Sequence, residues 1–299
     1  MRIWVSGARG FVGSRLVPRL EAAGHQVFAS DRDVDVCDPA AVAASIAAAR
    51  PDALVHLAAQ ASVAASLEDP AETARVNALG ALHVLRAVAR HARAARVLLV
   101  SSGEIYGPAP RADVAFDESA PLAPATPYAR AKAAADRLGA AFAARGLDVV
   151  RVRPFNHTGP GQRDAFVASG FARQLAEIEA GRRPPLLAVG NLAAVRDFLD
   201  VDDVVDAYLR LLAPAVPAGV YNVASGVGIP IGELLERLLA ASTAKPEVRE
   251  DPARWRPANV SVGDAGRLRR ATGWAPRIPL DDTLARLLAY WRAQVRSAS

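Results

Sequence analysis

The chain has 299 residues, enough for one large α/β domain or two fused units around a sizeable buried core. With 52% hydrophobic and 22% charged residues it has a globular composition, which excludes a largely disordered chain. The formal net charge of +5 comes from basic residues spread along the sequence, so no nucleic-acid partner is expected, and an anionic small molecule accounts for the excess equally well.

Almost every basic residue is arginine; the only lysines are Lys132 and Lys245, so a lysine placed inside a motif is informative. The single cysteine, Cys37, cannot form an intrachain disulfide, which fits a reducing cytoplasm. No apolar run approaches the length of a membrane span, so no membrane partner is expected. The chain opens on strand-like Ile3-Trp4-Val5, which leaves no room for a leader and predicts a cytoplasmic location.

In chain order, Ile3 to Ser6 reads as a strand and Phe11 to Ala23 as a helix. Gln26 to Ser30 is a second strand, Pro39 to Ala49 a helix, and Ala53 to Leu57 a third strand. A long helix over Glu72 to His91 precedes a fourth strand at Arg96 to Ser101. A proline-rich loop, a helix from Tyr128 to Ala144 and a fifth strand at Asp148 to Arg153 follow. Alternation of this kind predicts a doubly wound, Rossmann-type parallel sheet. Val97-Leu98-Leu99-Val100 agrees, because a strand covered on both faces needs apolar residues at every position. Beyond Pro154 the pattern is mixed, with helices expected at Phe166–Ala180, Val201–Leu212, Ile231–Ala241 and Leu280–Arg292. The expected organisation is a dinucleotide-binding unit over 1–155, with later segments returning to it. A smaller mixed α/β substrate lobe is expected mainly over 156–299.

Gly7-Ala8-Arg9-Gly10-Phe11-Val12-Gly13 has the spacing GxxGxxG between the first strand and the first helix. Glycines there let the backbone approach a pyrophosphate, which the free N–H groups and positive end of the helix receive. Gly7, Gly10, Phe11, Val12 and Gly13 are therefore cofactor-binding candidates. Asp31, at the end of the second strand, can accept the ribose hydroxyls and repel a 2′-phosphate, which favours NAD(H). Arg32 beside it could pair with that phosphate and leaves NADP(H) open. Asp35 and Val36 are candidates for reading the adenine edge.

Tyr128 and Lys132 form a YxxxK pair, four residues apart on one helical face. An adjacent ammonium, together with the positive ring of an oxidised nicotinamide, favours the phenolate and would let Tyr128 exchange a proton with substrate near neutral pH. Ser101-Ser102-Gly103-Glu104-Ile105-Tyr106-Gly107 ends the fourth strand, where a serine hydroxyl can hydrogen-bond a developing alkoxide.

Taken in order, the glycine turn, His56-Leu57-Ala58-Ala59, Asn77, the SSGEIYG stretch and the YxxxK pair resemble the extended short-chain dehydrogenase/reductases, the NAD-dependent epimerase/dehydratase family. The resemblance implies an NAD(P)-dependent oxidoreductase with Ser102, Tyr128 and Lys132 as catalytic triad. It further implies that Lys132 holds the nicotinamide ribose, that Leu57, Ala58 and Ala59 line the cofactor cleft, and that Asn77 supports the site. Family members commonly dimerise through the helices around Glu72–His91 and Tyr128–Ala144, so a homodimer is expected.

The second half resembles, within the same family, enzymes that make GDP-linked 6-deoxy-hexoses. The resemblance rests on Arg153-Pro154-Phe155-Asn156-His157-Thr158-Gly159-Pro160-Gly161-Gln162, on Val189 to Phe198, and on Arg256-Pro257-Ala258-Asn259-Val260. It implies a GDP-linked 4-keto-6-deoxy hexose as substrate, reduced at C4 to GDP-D-rhamnose or GDP-6-deoxy-D-talose. Glu104, Asn156, Arg196 and Arg256 are its expected contacts, the arginines because they bind diphosphate in bidentate fashion. A pairing of Arg196 with Asp197 or Asp200 is the alternative for that side chain. Asn259 departs from the pattern, since relatives usually carry an acid there. A 4,6-dehydratase or 4-epimerase of the same fold is the nearer rival reading, and a non-catalytic cofactor sensor the farther one.

Overall fold

The computed structural model describes residues 1–109 and 114–297; part of the proline-rich loop expected after the fourth strand lies outside them. In the first half, β1 (Arg2–Ser6), α1 (Gly13–Ala22), β2 (Gln26–Ser30), α2 (Pro39–Ala49) and β3 (Ala53–His56) alternate as expected. They are followed by α3 (Val63–Glu68), α4 (Pro70–Ala74), α5 (Gly80–His91), β4 (Arg96–Val100), α6 (Pro127–Ala143) and β5 (Val149–Pro154). The helix expected as one piece over Glu72–His91 is interrupted: a π-turn, Arg75–Leu79, joins α4 to α5.

The second half holds β6 (Asn156–Thr158), α7 (Val167–Glu179), β7 (Leu186–Val189), β8 (Val195–Asp200), α8 (Val201–Leu211) and β9 (Gly219–Val223). Then come β10 (Gly228–Pro230), α9 (Ile231–Ala240), β11 (Glu247–Glu250), β12 (Val260–Ser261), α10 (Gly266–Thr272) and α11 (Leu280–Ser297). Sequence periodicity found the four longer helices here but none of the strands, which are short and partly polar.

The main sheet runs β2-β1-β3-β4-β5-β9 and every pairing in it is parallel. Its residues alternate between two cores. Ile3, Val5, Val55, Leu98 and Val152 pack with Leu16 and Leu20 of α1 and Val204 and Tyr208 of α8. Trp4, Leu54, Val97 and Leu99 face the other way, onto Val42 and Ile46 of α2 and Val84, Leu85 and Val88 of α5. Burying each such side chain contributes about 1.5–3 kcal/mol, which is why these strands carry apolar residues on both faces. A third core joins α7, α9 and α11 over the small sheet β10-β8-β12, with β6 pairing β8. The chain reverses direction across the main sheet between β1 and β3, so the crevice at their carboxyl ends is the place where such sheets bind ligands.

Candidate active site

The glycine turn closes that crevice. Gly7 has φ +69°, and a Cβ there would lie 2.8 Å from the Ala58 amide nitrogen. At Gly13 a Cβ would lie 2.2 Å from the Gly7 carbonyl. The two positions exclude any side chain, so the turn lies flat against Leu57–Ala59 and α1 begins with no side-chain cap on its first N–H groups. Leu57 N–H donates to the Ser6 carbonyl at 3.2 Å and Ala58 N–H to Ser6 Oγ at 3.3 Å, which fixes the cleft-lining loop to β1.

Beside the turn, a cavity of about 330 Å³ is lined by Ala8, Arg9, Ala29, Ser30, Asp31 and Asp33. Ser30 is 3% exposed, and its Oγ has no protein partner. Asp31 accepts the Arg9 amide at 2.8 Å and the Arg32 amide at 3.0 Å, so its carboxylate is fixed at the end of β2. Arg9 reaches Asp33 at 2.9 Å, and Arg32 stands exposed. An orphaned buried hydroxyl, a carboxylate held at the rim and a turn that admits no side chain at Gly7 or Gly13 fit a dinucleotide, whose pyrophosphate the turn would receive and whose adenosine ribose the cavity would hold. Asp35 and Val36 follow on the loop after β2. Asp35 accepts the Cys37 amide, and Val36 is buried against Gly80 of α5 while His83 hydrogen-bonds its carbonyl.

Asn77 sits in the π-turn, 3% exposed. It accepts Gln60 N–H at 2.8 Å and donates to the Gln60 carbonyl at 2.9 Å, and so pins the loop that continues from Ala59. Such bulges recur at functional sites because they re-aim a side chain that a regular helix would turn away.

Helix α6 carries Tyr128 and Lys132 to the end of β4. Thr126 caps it by accepting the Ala129 amide at 3.1 Å, and Pro127 fits its first turn. Asp136, one turn beyond Lys132, is 1% exposed and receives Arg153 Nε and Nη2, each at 2.9 Å, and Arg151 Nη1 at 2.8 Å. This buried cluster holds the helix against β5. At the other end of the site Ser102 caps a short 3₁₀ turn, Gly103–Tyr106, by accepting the Glu104 amide at 3.2 Å.

Ser102, Tyr128 and Lys132 are thereby brought together and are all nearly buried. The Ser102 hydroxyl and the Glu104 carboxylate are both near enough to the Tyr128 phenol to act on its ionisation, in opposite directions. Lys132 Nζ donates to the Val100 carbonyl at 2.8 Å. Burial pushes the Tyr128 phenol up to about 12, with the Glu104 charge adding to it and Ser102 opposing. Burial also lowers the Lys132 ammonium to about 8. In the protein by itself the ammonium is turned onto Val100 and desolvation dominates at the phenol; the expected phenolate depends also on the positive ring of an oxidised nicotinamide.

A small cleft is lined by residues that include Glu104, Thr126, Ala129, Asn259 and Ser261. Thr126 and Ser261 are additions to the expected set; Thr126 was legible only as a helix cap before proline. Arg196, on β8 and in register with Ser261, donates to the Val195 and Asn259 carbonyls, each at 2.9 Å. It pairs with neither Asp197 nor Asp200: Asp197 accepts from Ser225, Gly226 and Gly263, and Asp200 binds Thr283 and Arg286. Asn156 is half-buried on β6, opposite Phe198. Arg256 is exposed and folded back on the Ala253 and Trp255 carbonyls of its own loop, away from the cleft lining.

A parallel sheet with a glycine turn at its switch point, and a buried Ser–Tyr–Lys set at the end of β4, define a Rossmann-type dinucleotide-dependent enzyme. Residues 3–224 match the model of the NAD dependent epimerase/dehydratase family, and the chain belongs to that family. It is 38% identical to GDP-6-deoxy-D-mannose reductase of Pseudomonas aeruginosa over 99% of this chain and 98% of that protein. It is 33% identical to UDP-glucose 4-epimerase of Mycolicibacterium smegmatis over 98% of this chain and 99% of that one. Among solved structures, that of RMD from Pseudomonas aeruginosa complexed with NADPH superposes with a TM-score of 0.90 at 36% identity, covering 98% of this chain and 100% of that one. Thus this chain is an NAD(P)-dependent enzyme of the epimerase/dehydratase family.

Proposed function

We propose that the enzyme reduces the C4 ketone of GDP-4-keto-6-deoxy-D-mannose, giving GDP-D-rhamnose or its C4 epimer GDP-6-deoxy-D-talose. The observation that carries this reading is the Tyr128 phenol, pushed up to about 12 by burial and grouped with Ser102 and Lys132 at the end of β4. A ketone reductase needs a proton donor in place at neutral pH, and the free site already holds one. The likeness to GDP-6-deoxy-D-mannose reductase, along nearly the whole of both chains, supports the same substrate.

The bound dinucleotide supplies hydride. Ser102 orients the carbonyl oxygen, Tyr128 delivers the proton to it, and Lys132 holds the nicotinamide ribose and replaces the proton's charge. Asp31, between the backbone amides of Arg9 and Arg32 and with Asp33 nearby, makes the adenosine cavity acidic, so NADH is the preferred donor. Arg196 and Asn156 serve the sugar diphosphate. Arg256 joins them by swinging in from its exposed loop, and Asn259 replaces an acidic ribose contact with a neutral one.

In this reading residues 1–155, with β9 returning to the sheet, form the cofactor unit, and most of 156–299 forms the substrate lobe. The enzyme acts as a homodimer through α5 and α6, near which Leu67 and Leu79 are each 49% exposed. Light scattering that gives a monomer mass at every concentration would refute the dimer.

Mixing the protein with the 4-keto sugar and NADH or NADPH tests the reaction. One equivalent of reduced nicotinamide is consumed per equivalent of sugar. A sugar turned over with no net loss of reduced nicotinamide would overturn the proposal.

A further inference from the structure

One side chain joins the glycine turn to the strand that carries Asn156. Arg15, on the first turn of α1, places its guanidinium over the Phe11 ring, 5.2 Å from the centroid, and Nη1 donates to the Phe11 carbonyl at 3.4 Å. From the same position Nη2 donates to the Pro160 carbonyl, and Nε lies 3.7 Å from Asp202. The Phe11 ring is also stacked on His157, with centroids 6.0 Å apart and planes 6° from parallel. His157 follows Asn156 directly in β6, and Gln162 ties its carbonyl back at 2.8 Å. Burial lowers the His157 pKa, so the ring stacks as a neutral imidazole.

We propose that Arg15 is a positioning residue through which occupancy of the glycine turn orders β6 and the loop behind it. The inference rests on the reading that the turn holds a dinucleotide and that β6 faces the substrate. A phosphate received by the Phe11–Gly13 backbone fixes Phe11, whose ring both Arg15 and His157 contact and whose carbonyl accepts from Arg15. The gain in order passes to residues 157–160 through those contacts. Arg15 is not needed to dock α1 on α8. Arg19 holds Asp202 separately, 3.6 Å from its carboxylate and 3.2 Å from its carbonyl. Removing the Arg15 guanidinium therefore frees the loop without undocking the helix.

Hydrogen–deuterium exchange with and without saturating NADH tests this, in the wild type, Arg15→Met, Arg15→Lys and His157→Leu. In the wild type NADH slows exchange both in the glycine turn and in the 156–162 loop, the latter by at least about fivefold. In Arg15→Met the turn is still protected, but the loop no longer responds. Arg15→Lys, which keeps a donor and a charge, restores part of the response, an outcome that a merely structural role does not give. His157→Leu uncouples the loop in the same way from the other side of the contact. A loop that responds fully in Arg15→Met, or fails to respond in the wild type while the turn does, overturns the proposal. Absence of protection at the wild-type turn with NADH and with NADPH alike removes the dinucleotide reading itself, and the coupling with it. The measurement uses no sugar nucleotide, so the identity of the substrate does not enter.

Discussion

Asn77 and Gln60 exchange two hydrogen bonds, side chain to backbone, across 17 residues of sequence. The π-turn exists at that point because it aims Asn77 inward, onto both backbone groups of a loop residue that has no strand partner. Asn77→Ala leaves a buried N–H and C=O unpaired, which costs about 1–3 kcal/mol. The expected result is a lower unfolding midpoint together with weaker NADH binding, because the loop forms one wall of the cofactor crevice. Calorimetry and fluorescence titration measure the two; unchanged cofactor affinity would show that Asn77 supports the fold alone.

Tyr128→Phe keeps the ring in its packed position and removes the hydroxyl that lies near Ser102. Turnover falls by about a hundredfold or more, the usual size of a lost general acid. Binding of NADH stays within experimental error of the wild type, since the change touches neither the turn nor the adenosine cavity. Near-normal turnover in the pure variant would remove Tyr128 from the chemistry.

His56 makes folding sensitive to acid. It is buried, shares a 2.7 Å hydrogen bond with Ser6 Oγ, and desolvation, reinforced by the Lys132 charge, lowers its pKa from 6.5 to about 3. The unfolded chain therefore takes up a proton that the folded protein refuses between these values. Its contribution is fully present above pH 6.5 and is lost as pH falls from 6.5 towards 3. At pH 5 the loss is about 2 kcal/mol relative to pH 7. Denaturant unfolding at the two pH values measures it, and His56→Gln, which cannot titrate, shows a smaller difference. Equal pH dependence in both proteins would place the acid-labile group elsewhere.

Much of this arrangement could be read from the sequence because it rests on local rules. Val97–Val100 is apolar throughout, since both faces of β4 are buried, and the glycine spacing matches a turn where two positions admit no side chain. What escaped depends on partners distant in sequence. The π-turn answers to Gln60, so periodicity alone reads straight through it. Strand β9 finds its place beside β5, and β12, two residues long, is defined only by its register with β8. The hydrogen-bond partner of Lys132 escaped for the same reason. YxxxK spacing puts the ammonium on the right helical face, but the Val100 carbonyl that claims it belongs to another strand.

In the proposed reading, cofactor choice turns on Asp31. Asp31→Asn keeps an acceptor for one of the two amides it now receives and removes the charge that opposes a 2′-phosphate. The ratio of kcat/KM for NADH to that for NADPH should move towards NADPH by about tenfold, the equivalent of about 1.4 kcal/mol. An unchanged ratio would mean that the carboxylate does not face the ribose, leaving Arg9 and Arg32 to set the preference.

The placement of Glu104 fits reduction and dehydration alike, and substituting it separates the two. Its half-buried carboxylate lines the cleft and acts on Tyr128, so it is placed where a dehydratase would need a base for the sugar C5 proton. That placement is the observation behind the rival reading. A reductase makes a different demand on the same group. No carbon acid is deprotonated, and the carboxylate has only to accept a hydrogen bond from a sugar hydroxyl, which a glutamine oxygen does nearly as well. Glu104→Gln should therefore lower kcat for ketone reduction by no more than about tenfold, with the loss falling mainly on KM. With GDP-mannose as the only sugar, neither the wild type nor the variant should form a 4-keto product. If the wild type does form it, without net use of NADH or NADPH, and Glu104→Gln abolishes that conversion, then Glu104 is a catalytic base and the enzyme is a dehydratase.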